Sequence, residues 1–299
     1  MLKIANAPVS WGVLEFELEG ETQLYGQVLD EIQETGYTGT ELGDWGFLPT
    51  EPEELKRQLR TRSLDLVAAF VTVALADRDA HKAGETIALR TARLLAEVGG
   101  ENALINLADE NGSVAVRTSN AGRIKAEHGL SKEQWKIFAD GVSRIANAVH
   151  KETGLRLVFH HHCAGYVETP DEVEALISLT DPTLVGLCLD TGHYCFGGGD
   201  PVRAVEQYGD RIWHVHFKDS QPEIAARSRH EGWDYFQSVR EGIFCELGKG
   251  EVNFPAVIQA LRDKGFDRWI VVEQDVLPGM GTPKESALGN RNYLRSIGV

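Results

Sequence analysis

The stretch Leu184-Val-Gly-Leu-Cys-Leu-Asp190-Thr-Gly-His193 joins an apolar run to an acid, a short turn and a histidine. An apolar run of this length is typical of a parallel strand that is buried on both faces, with polar side chains at its C-terminal end. Three further segments repeat this design: residues 155–162 end in histidines, residues 212–219 in histidines, a lysine and an acid, and residues 269–275 in acids. We therefore expect four strands to bring acidic and imidazole groups to one rim.

Strand-like segments alternate with helical patterns along the whole chain of 299 residues. The eight predicted strands cover residues 2–11, 38–45, 64–75, 103–108, 155–162, 184–190, 212–219 and 269–275. The predicted helices lie near residues 21–35, 51–62, 79–98, 131–152, 170–180, 200–208, 254–264 and 283–296. Eight strand–helix units predict a single (β/α)8 barrel, or TIM barrel, over residues 1–299. A doubly wound sheet would also alternate, but Ser10-Trp-Gly-Val is not the glycine-rich phosphate turn that usually follows its first strand.

Two long segments separate these elements. Residues 111–130 are polar, and we expect them to form a loop over the fourth strand. Residues 220–250 form an insertion after the seventh strand, which contains Arg227, Arg229 and His230. Because insertions at this end of a barrel usually cover the active site, we expect a partly mobile cover that supplies a cationic contact to the substrate.

Composition and charge narrow the class of protein. A hydrophobic content of 42% and a charged content of 25% are those of an ordinary globular protein. No stretch approaches the roughly 18 apolar residues of a membrane helix, and the N-terminus has no signal-peptide layout, so we expect a cytoplasmic protein. A net charge of −15 argues against a nucleic-acid partner. The four cysteines show no C-x-x-C spacing, and a homo-oligomer is compatible with the sequence.

Alternation along a strand places residues i and i+2 on the same side. The residues that share a side in this way are His214, His216 and Lys218 on the seventh strand, His160 and His162 on the fifth, and Glu273 and Asp275 on the eighth. One buried histidine is more often a hydrogen-bonded core group than a ligand, but several at adjacent strand ends need pairing or a metal. Mixed carboxylate and imidazole groups suit Mn, Co, Fe or Zn better than Ca.

Other residues at strand ends carry weaker signals. Glu41 ends the second strand. It is predicted either to be an exposed loop acid or to contact a substrate hydroxyl. Trp11 ends the first strand and is predicted either to form a wall against an apolar ring face or to belong to the core. Asn106 and Asp109 on the fourth strand are candidates to bind substrate hydroxyls.

Several motifs resemble a known family. The segments Asp190-Thr-Gly-His193, His214-Val-His216-Phe-Lys218-Asp219 and Val272-Glu273-Gln-Asp275 resemble the xylose-isomerase-like barrel superfamily. Within it, the segments most similar to the inosose (2-keto-myo-inositol) dehydratases are Ala7-Pro-Val-Ser-Trp-Gly12, Thr40-Glu-Leu-Gly-Asp-Trp-Gly46, Phe196-Gly-Gly-Gly-Asp-Pro201 and Arg240-Glu-Gly-Ile-Phe244. The resemblance extends from about residue 4 to residue 276.

The resemblance implies a divalent metal held by strands five to eight, where the family usually has Glu, Asp, His and Glu. Asp190, His216 and Glu273 match the last three ligands, and His160 replaces the first, with His162 as the alternative. Mn²⁺ or Co²⁺ is the expected ion, with Zn²⁺, Fe²⁺ or Mg²⁺ as alternatives. Because the strand-five carboxylate is missing, the pair of acids used by the keto-sugar epimerases of the superfamily is incomplete.

The resemblance therefore implies a metal-dependent lyase that dehydrates a keto-inositol, in the catabolism of myo-inositol. The expected acid–base residues are Lys218, His162, His193 and Glu41, and the expected substrate contacts are Trp11, His214, Arg229 and Asp275. One alternative is an isomerase or epimerase of a keto-sugar or keto-polyol on the same metal, and another is an inactive barrel that binds a sugar or a protein. Hydrolysis of abasic DNA also occurs in the superfamily, but it usually needs more metal ligands and fits poorly with the charge of −15.

Overall fold

Eight parallel strands close into a barrel in the computed structural model, which describes residues 2–12, 24–276 and 281–299. The barrel strands are β1 Lys3–Asn6, β2 Gly39–Glu41, β3 Asp65–Val73, β4 Leu104–Asp109, β5 Arg156–His160, β6 Val185–Asp190, β7 Ile212–Phe217 and β10 Trp269–Val272. Their order around the barrel is β1-β10-β7-β6-β5-β4-β3-β2. A separate antiparallel pair joins β8, Asp219–Ser220, to β9, Phe244–Cys245. The predicted TIM barrel is confirmed.

Helices alternate with these strands. They are α1 Tyr25–Glu34, α2 Pro52–Arg60, α3 His81–Val98, α4 Ala115–Ser119, α5 Lys132–Thr153, α6 Pro170–Leu179, α7 Thr191–Phe196, α8 Pro201–Tyr208, α9 Pro222–Glu231, α10 Tyr235–Arg240, α11 Phe254–Asp263 and α12 Pro283–Ser296. The start of the helix predicted near 21–35 lies partly outside the described residues. The segment 111–130, predicted as a loop, contains α4 and a 3-10 turn at Ala126–His128. None of the helices in the described ranges has the length and apolar character that crossing a membrane requires.

Local capping signals explain where several helices begin. Ser131 accepts from the backbone N–H of Gln134, and the Gln134 side chain accepts from the N–H of Ser131, which starts α5. Thr169 and Glu172 form the same reciprocal pair at the start of α6, where Pro170 occupies the first turn. Two of the predicted helix starts are therefore set by residues next to them in the chain.

Apolar side chains form two layers. The larger cluster combines residues of the outer strand faces with helix residues, such as Ile105 and Leu107 with Phe138 and Val142. The smaller cluster lies inside the barrel, and its two largest side chains are Trp213 and Trp269, near the N-terminal ends of β7 and β10. Because the aromatic rings fill this end of the barrel, polar side chains are left to the C-terminal end.

Gly186 allows Trp213 to enter the barrel. A Cβ atom at this position would lie 2.4 Å from the indole ring, which is closer than packed atoms tolerate. The ring is also covered by the guanidinium of Arg156, whose carbon lies 4.3 Å from the ring centroid. Trp213 and Arg156 therefore cover part of the N-terminal end of the barrel beneath the polar site.

The insertion after β7 is built on α9, α10 and the β8–β9 pair. Its apolar cluster includes Tyr235, Val239 and Phe244, which pack with Phe196 from α7. The Phe244 ring lies 4.6 Å from the His193 ring, centroid to centroid, so the insertion lies over part of the rim. Whether this cover is mobile stays a prediction.

Candidate active site

Four side chains converge at the C-terminal ends of adjacent strands. His160 ends β5, Asp190 ends β6, His216 lies in β7 and Glu273 follows β10. One potential ligand atom from each lies within 4.8 Å of the others. The Asp190 Oδ2 atom is 3.7 Å from His160 Nε2 and 4.0 Å from His216 Nδ1, and His216 Nδ1 is 3.2 Å from Glu273 Oε1. The structure thus brings together the four side chains that were predicted to bind a metal.

The two oxygens of Asp190 have different surroundings. Oδ1 accepts a hydrogen bond of 2.8 Å from the backbone N–H of His193 and so caps α7. Oδ2 is buried and has no hydrogen-bond partner within the described part of the chain. A buried carboxylate oxygen without a partner is costly, and a divalent cation would satisfy it. Two imidazoles and two carboxylates are a ligand set that suits a transition metal, so the residues present fit such an ion.

Burial and neighbouring charges set the protonation of this cluster. Burial, reinforced by the charge of His216, lowers the pKa of His160 to about 3, so its imidazole is neutral, as metal binding requires. Burial would raise the pKa of Glu273, but the charges of His216 and Lys218 outweigh it and hold that pKa well below its usual value. The cluster therefore contains a neutral imidazole and an ionised carboxylate at neutral pH.

Lys218 lies beside the cluster and makes two ion pairs. Its Nζ is 3.4 Å from Glu273 Oε2 and 3.6 Å from Asp275 Oδ2. Burial would lower the pKa of Lys218, but the charges of Asp275 and Glu273 outweigh it and raise the pKa above the usual value. A lysine that stays protonated can donate a proton but cannot accept one. Of the two roles that the sequence leaves open for Lys218, the structure favours the acid.

His162 and His193 form a pair, with ring centroids 3.8 Å apart. His162 Nδ1 lies 2.6 Å from the carbonyl oxygen of Cys163, so Nδ1 carries the proton and Nε2 is the basic nitrogen. His193 Nδ1 accepts from the backbone N–H of Cys163 at 3.4 Å, which assigns the proton to its Nε2. Burial lowers the pKa of His162 to about 3 and that of His193 well below its usual value, so both rings are neutral.

Glu41 and His214 lie behind the cluster. Glu41 Oε1 is 2.7 Å from His214 Nε2 and 3.0 Å from His216 Nε2, and all three side chains are buried. Burial would raise the pKa of Glu41, but the charge of His216 and the hydrogen bonds of both histidines lower it to about 2. The structure directs Glu41 and His214 at each other and at His216. The acid–base role or hydroxyl contact predicted for Glu41 and the substrate contact predicted for His214 stay predictions.

The structure uses Trp11 and Arg229 for internal contacts. Trp11 is 1% exposed, belongs to the larger apolar cluster and donates a hydrogen bond of 2.6 Å to Glu31, which favours the core alternative. Arg229 donates to the carbonyl oxygens of Gly122, at 2.7 Å, and Phe196, at 3.0 Å. Its guanidinium therefore ties α9 to the segment at Gly122 and to the end of α7. The substrate contact predicted for Arg229 stays a prediction. The same holds for Asp275, which pairs with Lys218.

Two further groups around the cluster were not predicted. Phe70 on β3 packs edge-on against His160, with ring centroids 5.6 Å apart. Glu168 accepts from the backbone N–H of Gly122 at 2.7 Å and of Ala164 at 2.9 Å, and so holds the loop that carries His162. Alternation along β3 could have indicated Phe70, but the sequence has no signal for Glu168 because its partners are backbone groups from distant segments.

Comparison with known proteins agrees with this fold. Residues 29–297 match the family described as xylose isomerase-like TIM barrel, and the chain therefore belongs to this family. It is 31% identical over 292 residues to an inosose dehydratase of Geobacillus kaustophilus (strain HTA426), an alignment that covers 98% of this chain and 93% of that protein. It is 29% identical over 296 residues to an inosose dehydratase of Clostridium botulinum (strain Eklund 17B / Type B), with coverage of 98% and 96%.

Solved structures resemble the chain over almost its full length. The IolI protein with a bound zinc atom has a TM-score of 0.72 and 17% identity, covering 99% of this chain and 98% of its own. The probable 3-DHS dehydratase AsbF from Bacillus anthracis has a TM-score of 0.71 and 16% identity, covering 99% of both chains. At these identities the likeness establishes the fold alone.

Proposed function

We propose that this protein is a metal-dependent dehydratase, a carbon–oxygen lyase that acts on a keto-inositol such as 2-keto-myo-inositol. The proposal is carried by one arrangement: a metal-type cluster beside which lie a protonated lysine and a neutral imidazole. The similarity to inosose dehydratases over 98% of the chain supports the choice of substrate. A cytoplasmic location belongs to the same proposal.

His160, Asp190, His216 and Glu273 would hold the divalent ion. Their mixture of imidazole and carboxylate groups is consistent with Mn²⁺ or Co²⁺, which we expect, and with Zn²⁺, Fe²⁺ or Mg²⁺. When bound, the ion would supply Lewis-acid polarisation of the substrate ketone.

Two residues of the chain are placed to move protons. His162 would accept the proton next to the ketone at Nε2, since its Nδ1 proton is held by the carbonyl of Cys163. Lys218 would donate a proton to the departing hydroxyl, because Glu273 and Asp275 keep its ammonium charged. His193 packs against His162 and under Phe244, where it helps to exclude water from this side of the site. Elimination of water needs one base and one acid, which this pair provides.

The reaction itself is the first test. We expect purified protein loaded with Mn²⁺ or Co²⁺ to convert 2-keto-myo-inositol to a product lighter by one water. Elimination also creates a conjugated enol, which absorbs in the near ultraviolet. His162→Gln should reduce kcat by about 10²–10⁴-fold, the usual contribution of a general base. Glu133→Gln, on the exposed surface of α5, is the control and should retain full activity.

An epimerase on the same metal is the competing function. Epimerisation would leave the product mass unchanged and would exchange the hydrogen next to the ketone with solvent. The end of β5 carries His160 where a carboxylate would complete a two-acid mechanism, which argues against it. Rapid hydrogen exchange on keto-sugars without release of water from the inosose would overturn the lyase proposal.

A further inference from the structure

One carboxylate oxygen inside the barrel is shared by two histidines. Glu41 comes from β2, whereas His214 and His216 come from β7, three strands away around the barrel. Glu41 Oε1 lies 2.7 Å from His214 Nε2 and 3.0 Å from His216 Nε2. Glu41 is 3% exposed and the two histidines 0% and 1%, so water does not compete for these bonds.

The two nitrogens of His216 face different groups. Nε2 faces Glu41, whereas Nδ1 lies 3.2 Å from Glu273 Oε1 and 4.0 Å from Asp190 Oδ2, within the proposed metal cluster. Both nitrogens of His216 therefore face carboxylates, which only accept hydrogen bonds when they are ionised, so both can carry a proton when no ion is bound. A metal ligand needs a free lone pair, and only Nδ1 lies within the cluster, so Nδ1 would give up its proton on metal binding while Nε2 would keep its hydrogen bond to Glu41.

Asn106 offers a weaker alternative partner for the same nitrogen. Its Nδ2 is 3.4 Å from His216 Nε2, a longer contact than that of Glu41. Asn106 Oδ1 has no partner within residues 2–12, 24–276 and 281–299. The opposite orientation of the amide would place this oxygen towards His216, where it too would accept the Nε2 proton.

We propose that Glu41 is a positioning residue, which holds His216 in the tautomer that presents Nδ1 to the metal. Donation of the remaining ring proton of a ligating histidine to a carboxylate fixes the ring and makes it a better ligand. His214 provides the second hydrogen bond to the same oxygen and so keeps the carboxylate in place. This inference rests on the metal site in the proposed function, but it does not depend on which reaction that site performs.

Two other roles for Glu41 make different predictions. The ligand atoms of Glu41, His214 and His216 also lie within 4.8 Å of one another, so these residues could hold a second metal ion. A contact with a substrate hydroxyl is the other role. The burial of all three side chains and the hydrogen-bond distances favour the positioning role over both.

Glu41→Gln separates these roles. We expect one metal ion per chain in wild type and variant, and a 10–100-fold weaker affinity of the variant for Co²⁺, measured by chelator competition, because an amide is a weaker acceptor. The matched control is Glu110→Gln, which removes the same charge from an exposed residue that follows β4 and should keep wild-type affinity. Unchanged affinity with a raised KM would assign a substrate contact, and a fall from two ions to one would assign a second metal site. Either result overturns the proposal.

A measurement on the wild-type protein covers the case in which the variant does not fold. With ¹⁵N-labelled histidine and Zn²⁺, we expect the NMR signals of His216 to show a metal-bound Nδ1 and a protonated Nε2. Metal on Nε2, or an Nε2 without a proton, would refute the positioning role. Failure of the inosose assay alone would remove the proposed reaction and leave this result unaffected.

Discussion

Contacts of single side chains decide the chemistry that each can perform. Lys218 and His162 both lie at the rim, yet two carboxylates hold Lys218 charged, whereas burial keeps His162 neutral. The same residue types on the surface would titrate near their ordinary values. At this scale, the groups that surround a side chain determine whether it can act as an acid or as a base. The identity of the residue alone does not determine this.

At the residue scale, the environment of Glu168 leads to a prediction about how stability depends on pH. Burial, opposed by the charge of Arg117 and by two backbone N–H groups, raises the pKa of Glu168 from its usual 4.5 to about 7. Between these values the folded protein binds more protons at this site than the unfolded chain. The free energy of unfolding should therefore fall as the pH rises from about 4.5 to 7, by up to about 3 kcal/mol from this group.

Urea denaturation at several pH values measures this effect. Glu168→Gln should lack that part of the slope, whatever its absolute stability, because an amide does not titrate. Glu133→Gln, exposed on α5, is the control and should keep the wild-type slope. Identical slopes for wild type and Glu168→Gln would show that Glu168 is already ionised at low pH.

At the scale of elements, one carboxylate ties the insertion to the barrel. Asp219 accepts hydrogen bonds of 2.9–3.0 Å from the backbone N–H groups of Ser220, Gly248, Gly250 and Val252. These bonds join the start of the insertion to its end. Asp219 thus helps to close the base of the cover over His193, together with Ser220, whose hydroxyl donates to Glu251.

Asp219→Asn should loosen this closure. An amide replaces one acceptor oxygen by a donor, so two backbone N–H groups lose their partner, at a cost of about 1–3 kcal/mol each. We expect faster hydrogen exchange in residues 246–252, with unchanged protection of the barrel strands. Asp263→Asn is the control, because the Asp263 carboxylate is exposed on α11 and accepts a hydrogen bond from Gln259 on the same helix. Equal exchange in Asp219→Asn and wild type would show that other contacts hold the insertion.

At the scale of the whole molecule, barrel closure concentrates charged groups at one end. Asp190 and Glu273 are buried on β6 and after β10, with β7 and His216 between them. A metal ion at this point would bind the folded chain and not the unfolded one. Its binding should therefore contribute directly to stability.

Metal removal tests this link. Mn²⁺ at about 100 times its Kd should stabilise the fold by about 2.7 kcal/mol, seen as a higher Tm that a chelator reverses. Asp190→Asn should show a much smaller rise in Tm, because it lacks the charged Oδ2. A rise of equal size in both proteins would place the stabilising ion elsewhere.

The sequence by itself determined the barrel and the residues of the cluster. Apolar runs predict buried parallel strands, and polar residues at their ends predict a rim, because alternation and strand length are local properties of the chain. These local patterns bring Asp190, His216 and Glu273 to one rim. They also place the starts of two helices near Ser131 and Thr169. Strand ends were less certain: residues 8–11, predicted within the first strand, form the 3-10 turn Pro8–Trp11.

Only the tertiary structure decided how these groups contact one another. Glu41 and His214 are 173 positions apart in the chain, and closing the barrel places their side chains in hydrogen-bond contact. The tertiary structure likewise decided three further features: the packing of Trp11, the carbonyl partners of Arg229 and the charge of Lys218. Hydrogen bonds and pKa values depend on distance and burial in space, and distances between strands that are not neighbours in a barrel are set by closure of the whole sheet.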